Sequence, residues 1–208
     1  MGFDLNKCYS HPGKLLKVHL ENVASLSKVY LENVALLSKR ITSPDAAGLV
    51  SLFHDIGKVN PNFQEKLNGL CPKGYDHHAY LSAYAFLMFL IKNPDKFKVP
   101  QGFNSNNFLT SLITVVAKHH GDLPDMMPNG NNSILSDYEV SNLCIFLDNT
   151  DIPFGEIISE LLGIKTSEFT SREIRKISSS FAKKLVIKPT DYKVALPFYL
   201  EIQSIFSA

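Results

Sequence analysis

Apolar positions recur at spacings of three and four along nearly the whole chain, the period of an α-helix with one buried face. Over 14–40 the series Leu16, Leu20, Val23, Leu26, Tyr30, Val34 and Leu37 predicts one long amphipathic helix. Within it LENVASLSK at 20–28 returns as LENVALLSK at 31–39, an offset of 11 residues. Eleven residues are close to three turns, so the copy presents the same face again and lengthens the helix instead of adding a solenoid unit. Ser43-Pro44-Asp45 breaks the pattern and offers caps for a helix over 46–56, with Gly57 as its stop. The same period predicts helices over 62–67, 76–91, 106–120, 136–147, 152–162, 167–185 and 191–208. No stretch shows sustained period-two alternation with hairpin turns, so the fold class is all-α, a helical bundle. Two segments, 92–105 and 121–135, collect Pro, Gly and Asn and have the length of functional loops.

Composition narrows this picture. A chain of 208 residues, 45% of them hydrophobic, supports one core and one domain over 1–208. The three cysteines, Cys8, Cys71 and Cys144, are odd in number and form no CxxC, which excludes a disulfide framework and a thiolate zinc cage and fits a reducing cytoplasm. The longest apolar run, 80–91, is too short to span a bilayer, and the N-terminus lacks the build of a signal peptide. No membrane role is expected. The net charge of +1 hides a partition: +5 over 1–120, −8 over 121–160 and +4 over 161–208. Arg172, Arg175, Lys176, Lys183, Lys184 and Lys188 form either a local surface for a nucleic acid or an ordinary solvated helix face.

All seven histidines fall in the first 120 residues, and their places in the helices carry the chemistry. His19 lies on the apolar face of the long helix, where a ring must find a partner once buried. His54-Asp55 closes the apolar helix LVSLFHDIGK, His77-His78 opens another, and His119-His120 closes a third before Gly121. Neighbouring residues differ by about 100° around a helix axis, so two of them share one cleft only near a helix end. The sum is a bundle with imidazoles and one carboxylate at several helix ends. Neutral imidazole is the commonest transition-metal donor, and a carboxylate can bridge two metals. The set is large enough for two, and its nitrogen content favours Mn, Fe, Co, Ni or Zn over Mg.

The ordered set LxxHL (His19), LFHDIGK (His54, Asp55, Lys58), HxxxS (His78, Ser82) and KHHG (His119, His120) resembles the HD metal-dependent phosphohydrolase superfamily. More narrowly it resembles the HD nuclease of type I CRISPR systems. The opening YSHPGKLLKVHLENVA and the closing VVAKHHGDLP carry most of that likeness, which is strong over 9–125. The resemblance implies an HD-domain bundle with one metal on His19, His54 and Asp55, and Asp55 bridging to a second held by His78, His119 and His120. It implies that Lys58 faces the scissile phosphate. His77 competes with His78 for one ligand role, and the spacing to Ser82 selects His78; His11 matches the family opening without being a ligand.

The implied cofactor is one or two divalent metals (Mn, Ni, Fe or Co, with Mg and Zn as further candidates). The implied reaction is metal-assisted hydrolysis of single-stranded DNA, endonucleolytic and 3′–5′ exonucleolytic, in antiviral defence. The implied partners are a superfamily 2 helicase, fused or separate, and the RNA-guided surveillance complex. One departure stands out: relatives carry a final aspartate on a late helix, and this sequence reaches Ala208 before such a residue. The expectation is a domain lacking its last metal-binding segment, with Asp148 as the internal alternative. Two competing functions are an HD phosphohydrolase of nucleotides or cyclic dinucleotides, and a catalytically weak structural subunit.

Overall fold

In the computed structural model of the chain, which describes residues 4–38, 44–97, 99, 105–120 and 137–181, the long amphipathic segment is one unbroken helix, α1 (Leu16–Ser38). Leu16, Leu20, Ala24 and Ser27 form its buried stripe. Leu26, expected on that stripe, is 67% exposed, because it lies roughly 100° around the axis from the stripe's centre. The side chains of Tyr30, Val34 and Leu37 lie outside the described residues, as do the predicted helix at 191–208 and the segment 121–135.

The chain enters α1 through a two-stranded antiparallel hairpin, β1 (Tyr9–His11) with β2 (Lys14–Leu15). Strands of three and two residues are too short to leave a period-two signature, and so no strand was expected here. The turn is Pro12-Gly13, with Gly13 at φ 77°, a left-handed conformation that glycine adopts without strain.

Helix α2 (Pro44–Phe53) packs along α1. Ser27 and Ser51 are fully buried in that contact and hydrogen-bond to each other, two small side chains that let the helices close. The helix ends three residues before the expected 56. His54 and Asp55 form a turn, and a 3-10 segment follows at Ile56–Val59. Asn60, fully buried, then caps α3 (Pro61–Leu67): its carboxamide oxygen accepts from the Asn62 N–H, and its Nδ2 donates to the Tyr75 carbonyl at 2.7 Å.

Helix α4 (Ala79–Lys92) is the central post, buried from Tyr80 to Leu90 against α2, α5 (Ser105–Lys118) and α8 (Ser171–Phe181). Its long apolar run therefore reflects burial on all sides. Phe53 packs on Phe86 and Phe89 with ring centroids 4.8 and 5.1 Å apart. Helix α6 (Asp137–Asp148) packs on α8, and α7 (Phe154–Leu162) ends at Gly163 with φ 64°. The fold is all-α apart from the hairpin, and among the described residues no helix is long and apolar enough to cross a membrane.

Candidate metal centre

Four helix ends converge on Asp55. Apolar burial of Leu16 and Leu20 turns the His19 side of α1 toward the end of α2. The break after Phe53 gives Asp55 φ −114° and ψ 6°, which lets His54 and Asp55 aim at the same spot in spite of their adjacency in sequence. His78 is the N-cap of α4, and His119-His120 form the turn just beyond α5. Gly57 is what brings α4 so near. Its N–H donates to Ser82 Oγ at 2.8 Å, and a Cβ at this position would lie 2.2 Å from the His78 carbonyl oxygen. The glycine expected to stop α2 thus serves as a close-approach point between the 3-10 turn and α4.

The Asp55 carboxylate is 2% exposed and divides its neighbours between its two oxygens. On Oδ2 stand His19 Nε2 at 3.0 Å, His54 Nε2 at 3.3 Å and Lys58 Nζ at 2.7 Å. On Oδ1 stand His78 Nε2 at 3.0 Å, His119 Nε2 at 3.2 Å and His120 Nε2 at 3.9 Å. His78 Nε2 and His120 Nε2 are 2.9 Å from each other. Within each of the two groups, His19-His54-Asp55 and Asp55-His78-His119-His120, the ligand atoms lie within 4.8 Å of one another.

These residues fit divalent metal. The Nδ1 of His54 lies 2.6 Å from the Ser51 carbonyl, and that of His119 lies 2.8 Å from the Val116 carbonyl. A carbonyl only accepts, so both Nδ1 atoms carry the proton, and the neutral rings turn bare Nε2 lone pairs toward a carboxylate that also only accepts. Acceptor facing acceptor at 3.2 and 3.3 Å is repulsive until a cation stands between them. Protonating every ring instead would crowd several imidazoliums beside Lys58 in a buried site, at heavy desolvation cost. Donor atoms about 2.0–2.2 Å from one metal lie about 3 Å from each other, the spacing seen here. The carbonyls of Ser51 and Val116 thus act as outer partners that set the tautomer of each ring.

Burial raises the Asp55 carboxyl's pKa, but in the absence of metal a proton on Nε2 of His119, His19, His54 or His78 takes the cation's place, and hydrogen bonds from these rings lower the pKa by more and hold it well below the usual carboxylate range. Burial also keeps the pKa of His78 below that of a free imidazole, against the opposing pull of Asp55. Lys58, 4% exposed, pairs with Asp55 and lies 5.6 Å over the Phe63 ring. In this structure its partner is the carboxylate.

Every histidine predicted as a ligand is in the cluster. His77 points elsewhere, 71% exposed in its side chain, 3.8 Å from Asp76. His11 edges onto the His19 ring with centroids 5.5 Å apart and does not join either ligand group. Asp148, the internal alternative for a further ligand, is a correction: it sits at the end of α6 and accepts from Arg175 Nε at 2.9 Å, apart from both groups. Arg172 pairs with Asp151 at 3.4 Å. Two members of the basic series on α8, Arg172 and Arg175, are therefore matched by acids of the adjoining negative block, and Lys183, Lys184 and Lys188 lie outside the described residues.

Sequence reasoning missed Ser51 and Val116, because the groups that matter there are backbone carbonyls one helical turn before each histidine. The spacing of three residues is the only signal they leave.

Comparison with known families matches the chain to the family described as Cas3, HD domain, over residues 9–182. No curated protein and no solved structure matches the chain.

Proposed function

The chain belongs to the Cas3 HD-domain family of CRISPR-associated nucleases, and on that premise we propose that it hydrolyses single-stranded DNA with one or two divalent transition metals held on Asp55. One observation carries the reading: a single buried carboxylate offers one oxygen to His19 and His54 and the other to His78, His119 and His120. Bound metal supplies Lewis-acid stabilisation of phosphoryl charge and lowers the pKa of a water to near neutrality. The nitrogen-rich donor set favours Mn, Fe, Co or Ni over Mg.

The remaining roles belong to the chain. His54 and His119 are fixed as neutral ligands by the Ser51 and Val116 carbonyls, so they bind and do not shuttle protons. Asp55 is ionised and holds the two groups in register. Lys58, three residues on, holds Asp55 through Oδ2; with that oxygen committed to metal, its ammonium is placed to neutralise a non-bridging phosphate oxygen. The half-exposed His120 marks the open side by which a strand arrives. Endonucleolytic and 3′–5′ exonucleolytic cutting, action beside a superfamily 2 helicase and an RNA-guided surveillance complex, and a cytoplasmic setting are what family membership supports.

The test is cleavage of an end-labelled single strand in manganese by wild type, His54→Ala and Asp55→Asn. Wild type cuts and both variants lose at least a hundredfold in rate. Cleavage retained by both variants refutes the assignment. Hydrolysis of free nucleotides without strand cleavage would move the protein to the nucleotide phosphohydrolases.

A further inference from the structure

One residue before His78 the chain lines a cleft of about 480 Å³ that the metal chemistry does not use. Its volume is within the range of small-molecule sites, about 300–1,000 Å³. Three asparagines face it, Asn62 from α3, Asn142 from α6 and Asn149 just past the end of α6, with Tyr75 and Phe146 behind and His77 and Ile145 at the edge. Tyr75 and Phe146 are buried with ring centroids 5.7 Å apart, whereas Ile145 is 62% exposed. Gly74 keeps the loop close: a Cβ there would stand 2.5 Å from Asn62 Nδ2, which donates to the Tyr75 carbonyl at 3.1 Å.

The chemistry of this lining selects its ligand. Asp76 is neutralised by Lys66 at 2.6 Å, leaving Lys73 as the other charged group of the cleft. Such a surface is nearly neutral, a poor match for a bare phosphate or a metal. Carboxamides present a donor and an acceptor side by side, the pattern of a base edge. Asn62 and Asn149 each spend one N–H within the chain, on the Tyr75 and Ile145 carbonyls at 3.1 and 2.8 Å, and keep their oxygens and a second N–H. The exposed Ile145 side chain and the edges of the buried rings meet the base's face. Among the described residues the Asn142 amide makes no hydrogen bond, so its donors and acceptor are uncommitted.

We propose that this cleft is a nucleobase subsite, holding one base of the bound strand next to the phosphodiester at the metal centre. Lys73 lies where a flanking phosphate of the same strand passes. The subsite rests on the nuclease reading above and adds what it lacks: a grip on the strand that does not depend on a positive surface. It contributes to binding and to the choice of the phosphodiester that is cut, and it reads bases through stacking and amides with little sequence preference.

Equilibrium binding tests it. Fluorescein-labelled oligothymidylate and the same backbone with abasic sugars are titrated with the full chain in EDTA, so that nothing is cut. Wild type is expected to bind the base-bearing strand at least about fivefold more tightly, the low end of what one stacked base contributes. Asn142→Trp, which fills the cleft, brings the ratio to about one, and Asn142→Ala lowers it without filling. A ratio of one in wild type, or a wild-type ratio in Asn142→Trp, overturns the subsite. Free thymidine monophosphate that displaces the strand at equal concentration would assign the cleft to a monomer and also overturn it. Manganese-dependent hydrolysis of bis(p-nitrophenyl) phosphate, measured in parallel, reads the metal centre alone. Its absence in wild type refutes the hydrolase reading and leaves the binding ratio standing, and its rate is expected to be unchanged in Asn142→Trp.

Discussion

Replacing Gly57 by alanine strikes the contact that joins the two halves of the metal centre. The added Cβ would lie 2.2 Å from the His78 carbonyl oxygen and 2.9 Å from both the amide nitrogen and the Oγ of Ser82. Ordinary contact begins at 3.4 Å, so the carbonyl must retreat by 1.2 Å. Two of the three obstacles are backbone atoms of a buried helix start, which cannot swing aside as a side-chain tip would. Overpacking of this kind costs about 1–3 kcal/mol, and backbone obstruction puts it at the upper end. Losing the Gly57 N–H to Ser82 Oγ bond adds about 1 kcal/mol, while the stiffer unfolded chain returns about 0.4–1 kcal/mol. The net is roughly 3 kcal/mol, which for a domain of this size lowers Tm by roughly 6–12 °C.

The same shift moves His78 against Asp55, whose Nε2 and Oδ1 are now 3.0 Å apart. A misplacement of about 1 Å in a reacting site costs about a hundredfold in rate. Thermal unfolding by circular dichroism and manganese stoichiometry by mass spectrometry measure the two consequences separately. An alanine variant that melts within about 1 °C of wild type and binds manganese as wild type does refutes the reasoning about close approach.

Two further predictions follow from the buried charges, both made on chelated protein. Asp55→Asn leaves the Lys58 ammonium, 4% exposed, without its carboxylate, a loss of about 3–5 kcal/mol. Adding Lys58→Met should recover most of it, and a double variant no more stable than Asp55→Asn contradicts the pairing. The second concerns pH. His78 has a folded pKa below the ordinary 6.5, chiefly through burial, so the unfolded chain takes up its proton first as pH falls and stability is lost below about 6.5. Asp55, held well below 3.8 by its imidazoles against the opposing effect of burial, adds a loss of the same sign below about pH 4. The urea midpoint should therefore fall from about pH 7 to about pH 5, and manganese at about pH 7 should raise it; a midpoint that rises on acidification contradicts the neutral burial of His78.

Much of this could be read from residue order. Periodicity alone places α1, α3 and α7 to within about two residues at each end, because one buried face per helix leaves a period near 3.6. The ligand types were equally visible, since His19, His54, Asp55, His78, His119 and His120 each sit at or beside a helix end or on an apolar face. The hairpin at Tyr9–Leu15 was not legible: it is held by a Gly13 turn and by packing at the foot of α1, with too few residues for a pattern. The end of α2 was misplaced for a related reason. Gly57 looks like a C-terminal stop, whereas its lack of a side chain answers to α4, a segment far along the chain.

Sequence by itself determined that the chain is helical, that its imidazoles cluster at helix ends, and that one carboxylate stands among them, because these are properties of local spacing and residue type. Tertiary structure alone decided which Asp55 oxygen meets which ring, that Lys58 spends its charge on that carboxylate, and that Arg172 and Arg175 are matched by Asp151 and Asp148. It also decided that Asn62 and Asn142, 80 residues apart, share one cleft beside His78. The division has a physical cause: period and chemistry are written residue by residue, but the direction in which a side chain points at a helix end depends on what the next helix leaves room for.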